Sequence, residues 1–100
     1  MPQNTTIAVP AATWTQLTDA DITSITFQNI GGAYILVKAT TDGTAPTNTD
    51  GAIRYNPGQG ERNVAMSDLF PGLSGADRLW AWSDVPPPFR NDARVVVSHA

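Results

Sequence analysis

Cysteine is absent from this 100-residue chain, so neither a disulfide nor a thiolate metal site can hold it together. Histidine occurs once, as His99 beside the C-terminus. General acid–base catalysis most often relies on a histidine oriented by a second group, and a terminal one on a frayed strand end is a poor candidate. Charge is scarce as well: 15% of residues are Asp, Glu, Lys or Arg, against about 25% in an ordinary domain. The six basic residues, Lys38, Arg54, Arg62, Arg78, Arg90 and Arg94, are scattered, and the net charge is −3. Nucleic-acid binding needs a concentrated positive patch, so that role is not expected; only the fold could gather Arg78, Arg90 and Arg94 into one. No apolar run approaches the ~20 residues of a membrane helix. Met1-Pro2-Gln3-Asn4 lacks the basic start of a signal peptide, so synthesis in the cytoplasm and no membrane association are expected.

Threonine stands where charge is missing, at twelve positions. A Thr-rich, charge-poor chain suits half-buried strands. Turn formers recur at Pro10, Gly31-Gly32, Asp42-Gly43, Asp50-Gly51, Pro57-Gly58, Pro71-Gly72, Gly75 and Pro86-Pro87-Pro88. Short segments between regular turns indicate an all-β sandwich or barrel. The expectation is one domain over 1–100, a single antiparallel β-sandwich of six to eight short strands, with a jelly-roll order as one form of it.

Residues 23–40 read as a central hairpin. Ile25, Phe27 and Asn29 alternate with Ser24, Thr26 and Gln28, Gly31-Gly32 offers a two-residue primed turn, and Ala33 to Ala39 follows as a second strand. That second strand is apolar on both faces, with Ile35, Val37 and Ala39 on one and Tyr34 and Leu36 on the other. Such a strand is covered on both sides or meets a partner chain. Further strands are expected at Thr5 to Val9, Thr13 to Leu17, Ala52 to Tyr55, Arg62 to Met66, Arg78 to Ser83 and Arg94 to Ser98. Phe27, Ile35, Val37, Leu79 and Val95 are the expected core. Single helical turns are conceivable at Thr18 to Asp21 and Ser67 to Phe70. Residues 41–51, TDGTAPTNTDG, form a polar exposed loop, and the Pro-rich stretch 84–92 a stiff connection.

Chemistry is thin. Ser24, Ser67, Ser74, Ser83 and Ser98 lack a nucleophile-elbow context. Asp19 and Asp21 are the nearest carboxylate pair, better suited to ending an element than to catalysis. Asp42-Gly43 and Asn48-Thr49-Asp50-Gly51 lack the EF-hand spacing and read as Asx turns. Asn56-Pro57-Gly58-Gln59-Gly60 lacks the lysine and helix of a phosphate loop. No enzyme, catalytic residue, metal or cofactor is therefore expected. The aromatic residues carry the remaining signal. Trp80 and Trp82, two apart, share one side of a strand, where they suit core or an interface better than stacking on sugar rings. Trp14, Trp80, Trp82, Tyr34, Tyr55 and Phe89 are the candidates for partner contact.

The order of these signals resembles small virion structural proteins of tailed phages and gene transfer agents, head-spike base proteins among them. The residues that carry it are Trp14-Thr15, Phe27-Gln28-Asn29-Ile30-Gly31, Tyr34 to Ala39, Ala45-Pro46, Gly51 to Gly58, Leu79 to Ser83 and Val95 to Ser98, spanning residues 13–98. The resemblance implies a structural subunit on a particle surface. It would bind capsid or other virion proteins, itself as a homo-oligomer, and a fibre protein, with contacts from the turns at 41–51 and 56–60 and from 84–92. A tail or connector subunit is one alternative, and a carbohydrate-binding module using Trp80 and Trp82 is another.

Overall fold

The computed structural model describes residues 3–10, 12–19, 21–83 and 93–99. Phe89 and the connection 84–92 lie outside the described residues. Alternation of buried and exposed positions shapes the strands: β1 (Gln3–Val9), β2 (Thr15–Gln16), β3 (Ser24–Asn29), β4 (Ile35–Thr40), β5 (Ile53–Tyr55), β6 (Gly60–Ala65), β7 (Arg78–Trp82) and β8 (Ala93–His99). A one-turn helix, α1 (Met66–Leu69), joins β6 to β7. It begins at Met66 on an Ala65 N-cap rather than on a serine cap. Thr18 and Asp19 are not helical. Among the described residues no helix is long and apolar enough to cross a membrane.

The strands form two four-stranded antiparallel sheets, ordered β1-β8-β3-β6 and β2-β7-β4-β5. The chain pairs first with last, β1 with β8, then β2 with β7, β3 with β6 and β4 with β5, as if one long hairpin were rolled around a core. This is the jelly-roll order. The inward faces carry Val9, Ile25, Phe27, Val95 and Val97 from the first sheet and Ile35, Val37, Leu79 and Ala81 from the second, all buried. The five expected core residues are all among them.

The expected hairpin at 23–40 does not form. β3 and β4 lie in different sheets, and Gly31-Gly32 carries the chain across the sandwich. A primed two-residue turn needs positive φ, which Gly51, Gly58 and Gly75 adopt and Gly31 and Gly32 do not. Gly31 serves close approach instead: a Cβ there would sit 2.8 Å from the Arg94 nitrogen. Gly60 is likewise pressed on β3, where a Cβ would overlap the Phe27 carbonyl oxygen and come within 2.7 Å of the Gln28 Cα. Only β4 and β5 are joined within one sheet, through the polar loop 41–51.

Asn29 organises the crossing. Its side chain is fully buried at the end of β3, facing inward beside Phe27. Its Nδ2 donates to the Ala33 carbonyl at 2.8 Å and to the Tyr55 carbonyl at 3.0 Å, while its Oδ1 accepts from the Gly31 N–H at 3.0 Å. Its backbone accepts from Gly58 and donates to Gln59. One residue thus serves two of the passages between sheets, 30–34 and 56–59, where ladder hydrogen bonds run out.

Replacing Asn29 by leucine, similar in volume, strands two carbonyls and one N–H. At ~1–3 kcal/mol for each unsatisfied group, a loss of at least about 3 kcal/mol is expected, and a fall in Tm of more than ~10 °C. Chemical denaturation would measure it, and a change below about 1 kcal/mol would contradict this role for the amide.

Candidate functional site

The two outer faces of the sandwich differ in chemistry. On the first sheet the outward positions are Asn4, Thr6 and Ala8 of β1, Arg94, Val96 and Ser98 of β8, and Ser24, Thr26 and Gln28 of β3, in register across the strands. Among the described residues this face carries no aromatic side chain and has hydroxyl character. On the second sheet Leu36 lies between Trp82 and Arg54, Trp80 lies between Gln16 and Lys38, and Thr40 pairs with Arg78. Trp14, just before β2, packs on Trp82 with ring centroids 5.4 Å apart and planes tilted by 51°. The Arg54 guanidinium lies 4.1 Å above the Tyr34 ring. Three tryptophans, a tyrosine, a leucine and three basic residues therefore share one face.

That clustering follows from strand parity. Leu79 and Ala81 must face the core, so Arg78, Trp80 and Trp82 face out. The same rule turns Leu36 and Lys38 outward opposite them. Trp14 and Trp82 are half-buried, and so are Tyr34 and Leu36, while Arg54 is exposed. Arg78 is held at 2.6 Å by Asp21.

Two of the six aromatic candidates leave the accessible surface. Trp80 is 6% exposed, and its indole N–H donates to the Thr40 hydroxyl at 2.8 Å. The Thr40 hydroxyl in turn donates to the Asp42 carbonyl, which ties the ring to the start of the polar loop. A sugar platform made of Trp80 and Trp82 together is therefore not presented. Tyr55 faces the core, edge-on to Phe27 at 5.0 Å between centroids. Its hydroxyl donates to Glu61 at 3.0 Å. Trp14, Trp82 and Tyr34 remain on the outer face, and Phe89 lies outside the described residues.

The residues weighed for catalysis or metal binding have other duties. His99 is buried in β8 rather than frayed, with its Nε2 2.8 Å from Gln3 Oε1 and 3.1 Å from Asp19 Oδ1. Gln3 also donates to the Leu17 carbonyl and accepts from the Asp19 N–H, so the cluster clamps both ends of the described chain to the segment after β2. Ser24 and Ser98 border a recess of about 370 Å³ that His99 also lines. Those serines belong to the outward set, whereas the His99 side chain is fully buried and belongs to the inward set. Asp19 and Asp21 are committed to separate partners, His99 and Arg78. Asp42 and Asn48 accept from the N–H groups two residues on, at 2.9 and 3.1 Å, as Asx turns do. Among the described residues no three histidine or carboxylate groups converge on a metal position. Arg78 and Arg94 lie on opposite sheets, and Arg90 is outside the described residues.

The Tyr55–Glu61 contact has a pH signature. Burial first, then the hydrogen bond and the charge of Glu61, push the phenol far above its usual 10.0. The folded state holds this proton more tightly than the unfolded chain. The contribution is therefore complete below about pH 10 and is lost as pH rises towards the folded value. Denaturation midpoints at about pH 8 and about pH 11 should fall further apart in the wild type than in Tyr55→Phe, and equal slopes would refute the burial argument. Compared with family models, with curated proteins and with solved structures, the chain finds no match.

Proposed function

We propose that this domain is a structural, non-enzymatic subunit of a phage-like particle, of the head-spike base or capsid-decoration kind. It seats on a protein shell through the outer face of its second sheet and carries a fibre on the side turned away. The observation that carries the reading is the gathering of Trp14, Trp82, Tyr34, Leu36 and Arg54 on that face. Tryptophan, tyrosine and arginine are the residues that dominate protein–protein contacts, because each offers a large rigid apolar area with a polar handle. A row of them across three strands, half-buried but for the exposed Arg54, resembles one side of an interface more than a substrate cleft.

The fold accords with this reading without choosing it. Jelly rolls serve as capsid domains and as lectins alike, so the topology alone assigns no task. The sugar-binding alternative loses one of its two tryptophans, since the Trp80 ring is covered and its N–H is engaged by Thr40. The order of sequence motifs over residues 13–98 adds the virion context. A tail or connector subunit would use the same face, and the neighbouring reading frames discriminate between those locations.

Mass spectrometry of particles from the producing strain tests the reading. The chain should be present as a recurring component. Arg54→Glu, an exposed substitution that leaves the core intact, and Trp82→Ala should each cut incorporation by tenfold or more, with circular dichroism unchanged. Undiminished incorporation of both folded variants would overturn the docking face. Glycan binding by the wild type that disappears in Trp82→Ala would replace the reading with the lectin one.

A further inference from the structure

Each sheet has two edges, and three of the four are blunted. β2 contains two residues and β5 three, too short to template a partner strand. β6 is interrupted by a register shift opposite Ile25 and Phe27, with Asn63 at φ 48° and its N–H turned to the Thr26 hydroxyl. It also carries Glu61 and Arg62. A bulge and charges are the usual protections of an open edge.

β1 has none of these. Its seven residues, Gln-Asn-Thr-Thr-Ile-Ala-Val, contain no charge, proline or glycine, and they pair with β8 without a register break. In an antiparallel ladder, alternate residues turn their N–H and C=O groups away from the neighbouring strand. The outer groups of β1 make no backbone hydrogen bond to another described residue. Asn4, Thr5, Thr6 and Ala8 are exposed. The core side of this strand is under-covered too, because the strand that starts the facing sheet is the two-residue β2. Thr5 is exposed there, and Ile7 is only half-buried.

We infer that β1 pairs antiparallel with β1 of a second copy of this chain, about a two-fold axis at Thr6, to join two sandwiches through one continuous eight-stranded sheet. The occupant is self because the strand is uncharged along its whole length and so meets its own copy without repulsion. Only a centre at Thr6 overlaps all seven residues. It sets Thr6 opposite Thr6, Thr5 opposite Ile7, Asn4 opposite Ala8 and Gln3 opposite Val9. Even positions meet even and odd meet odd, so both faces of the sheets are preserved. Threonine across from threonine, and threonine across from isoleucine, are favourable cross-strand neighbours in such ladders. Each Ile7 gains cover from the partner's Thr5. The contact uses an edge that the proposed shell-docking face leaves free, and it does not depend on the particle reading.

The purified domain tests this in the absence of any particle. Sedimentation equilibrium should show the mass moving from one chain towards two between micromolar and millimolar concentration, a weak association as expected of a narrow interface. Thr6→Lys sets two cations face to face at the axis and should abolish the dimer with an unchanged thermal midpoint. Asn4→Lys combined with Ala8→Lys should do the same. Asn4→Lys combined with Ala8→Glu places an introduced cation opposite an introduced anion twice across the axis, and should keep the dimer. A wild type that stays monomeric at millimolar concentration would overturn the inference. So would a dimer that survives Thr6→Lys or is lost instead in Arg54→Glu. Loss of the dimer in the charge-paired variant would overturn the Thr6-centred register.

Discussion

A rolled sandwich without disulfides must satisfy its backbone wherever the chain leaves one sheet for the other, and here that requirement converges on Asn29. Its amide bonds Ala33 at the entry to β4, Tyr55 at the end of β5 and Gly31 in the crossing itself. These three points belong to two different passages, so a single side chain sets the spacing of the sheets at one end. A buried amide of this kind is costly unless every group is met, and for the same reason it specifies one arrangement strongly. The glycines at 31 and 60 serve the same closure by letting backbone approach backbone where a Cβ would collide.

The opposite end is closed by a different device. His99, Gln3 and Asp19 tie the paired first and last strands to the segment after β2. The only histidine is thus spent on structure. The absence of cysteine makes both clamps intelligible, because polar networks take the place that covalent staples hold in many small domains.

Between the clamps, the two sheets expose unlike surfaces. One presents hydroxyls and, at β1, an uncharged edge strand, and the other presents indoles, a phenol and guanidinium groups. The same alternation produces both. Once Leu79, Ala81, Ile35 and Val37 are fixed inward, their neighbours Trp80, Trp82, Leu36 and Lys38 have no choice but to face out. Apolar residues on the outside of a small sandwich are thereby explained as surface chemistry rather than as surplus core. On the reading proposed above, the aromatic face would meet a shell and the β1 edge a neighbouring copy, two different surfaces of one repeating module.

What was readable from the residues is what depends on a strand and its two sides. Ile25, Phe27 and Asn29 on one side, and Ile35, Val37 and Ala39 on the other strand, follow from a period of two, which holds whichever strands become neighbours. The Asx turns at Asp42 and Asn48 were readable because donor and acceptor lie two residues apart. Partnership was not readable. Gly31-Gly32 suits a tight hairpin or a close crossing equally, and the choice was made by Asn29 and by the backbone of β8 at residues 93–94, far along the chain. Tyr55 and Trp80 looked like contact residues because their cover comes from Phe27, Glu61 and Thr40, which are distant in sequence or on other strands. Sequence alone determined the class of structure and the inward set of residues, since local alternation and turn chemistry suffice for both. Tertiary structure decided the strand order, the covered and uncovered aromatics and the free edge, since each depends on which remote strand arrives alongside, and on its register.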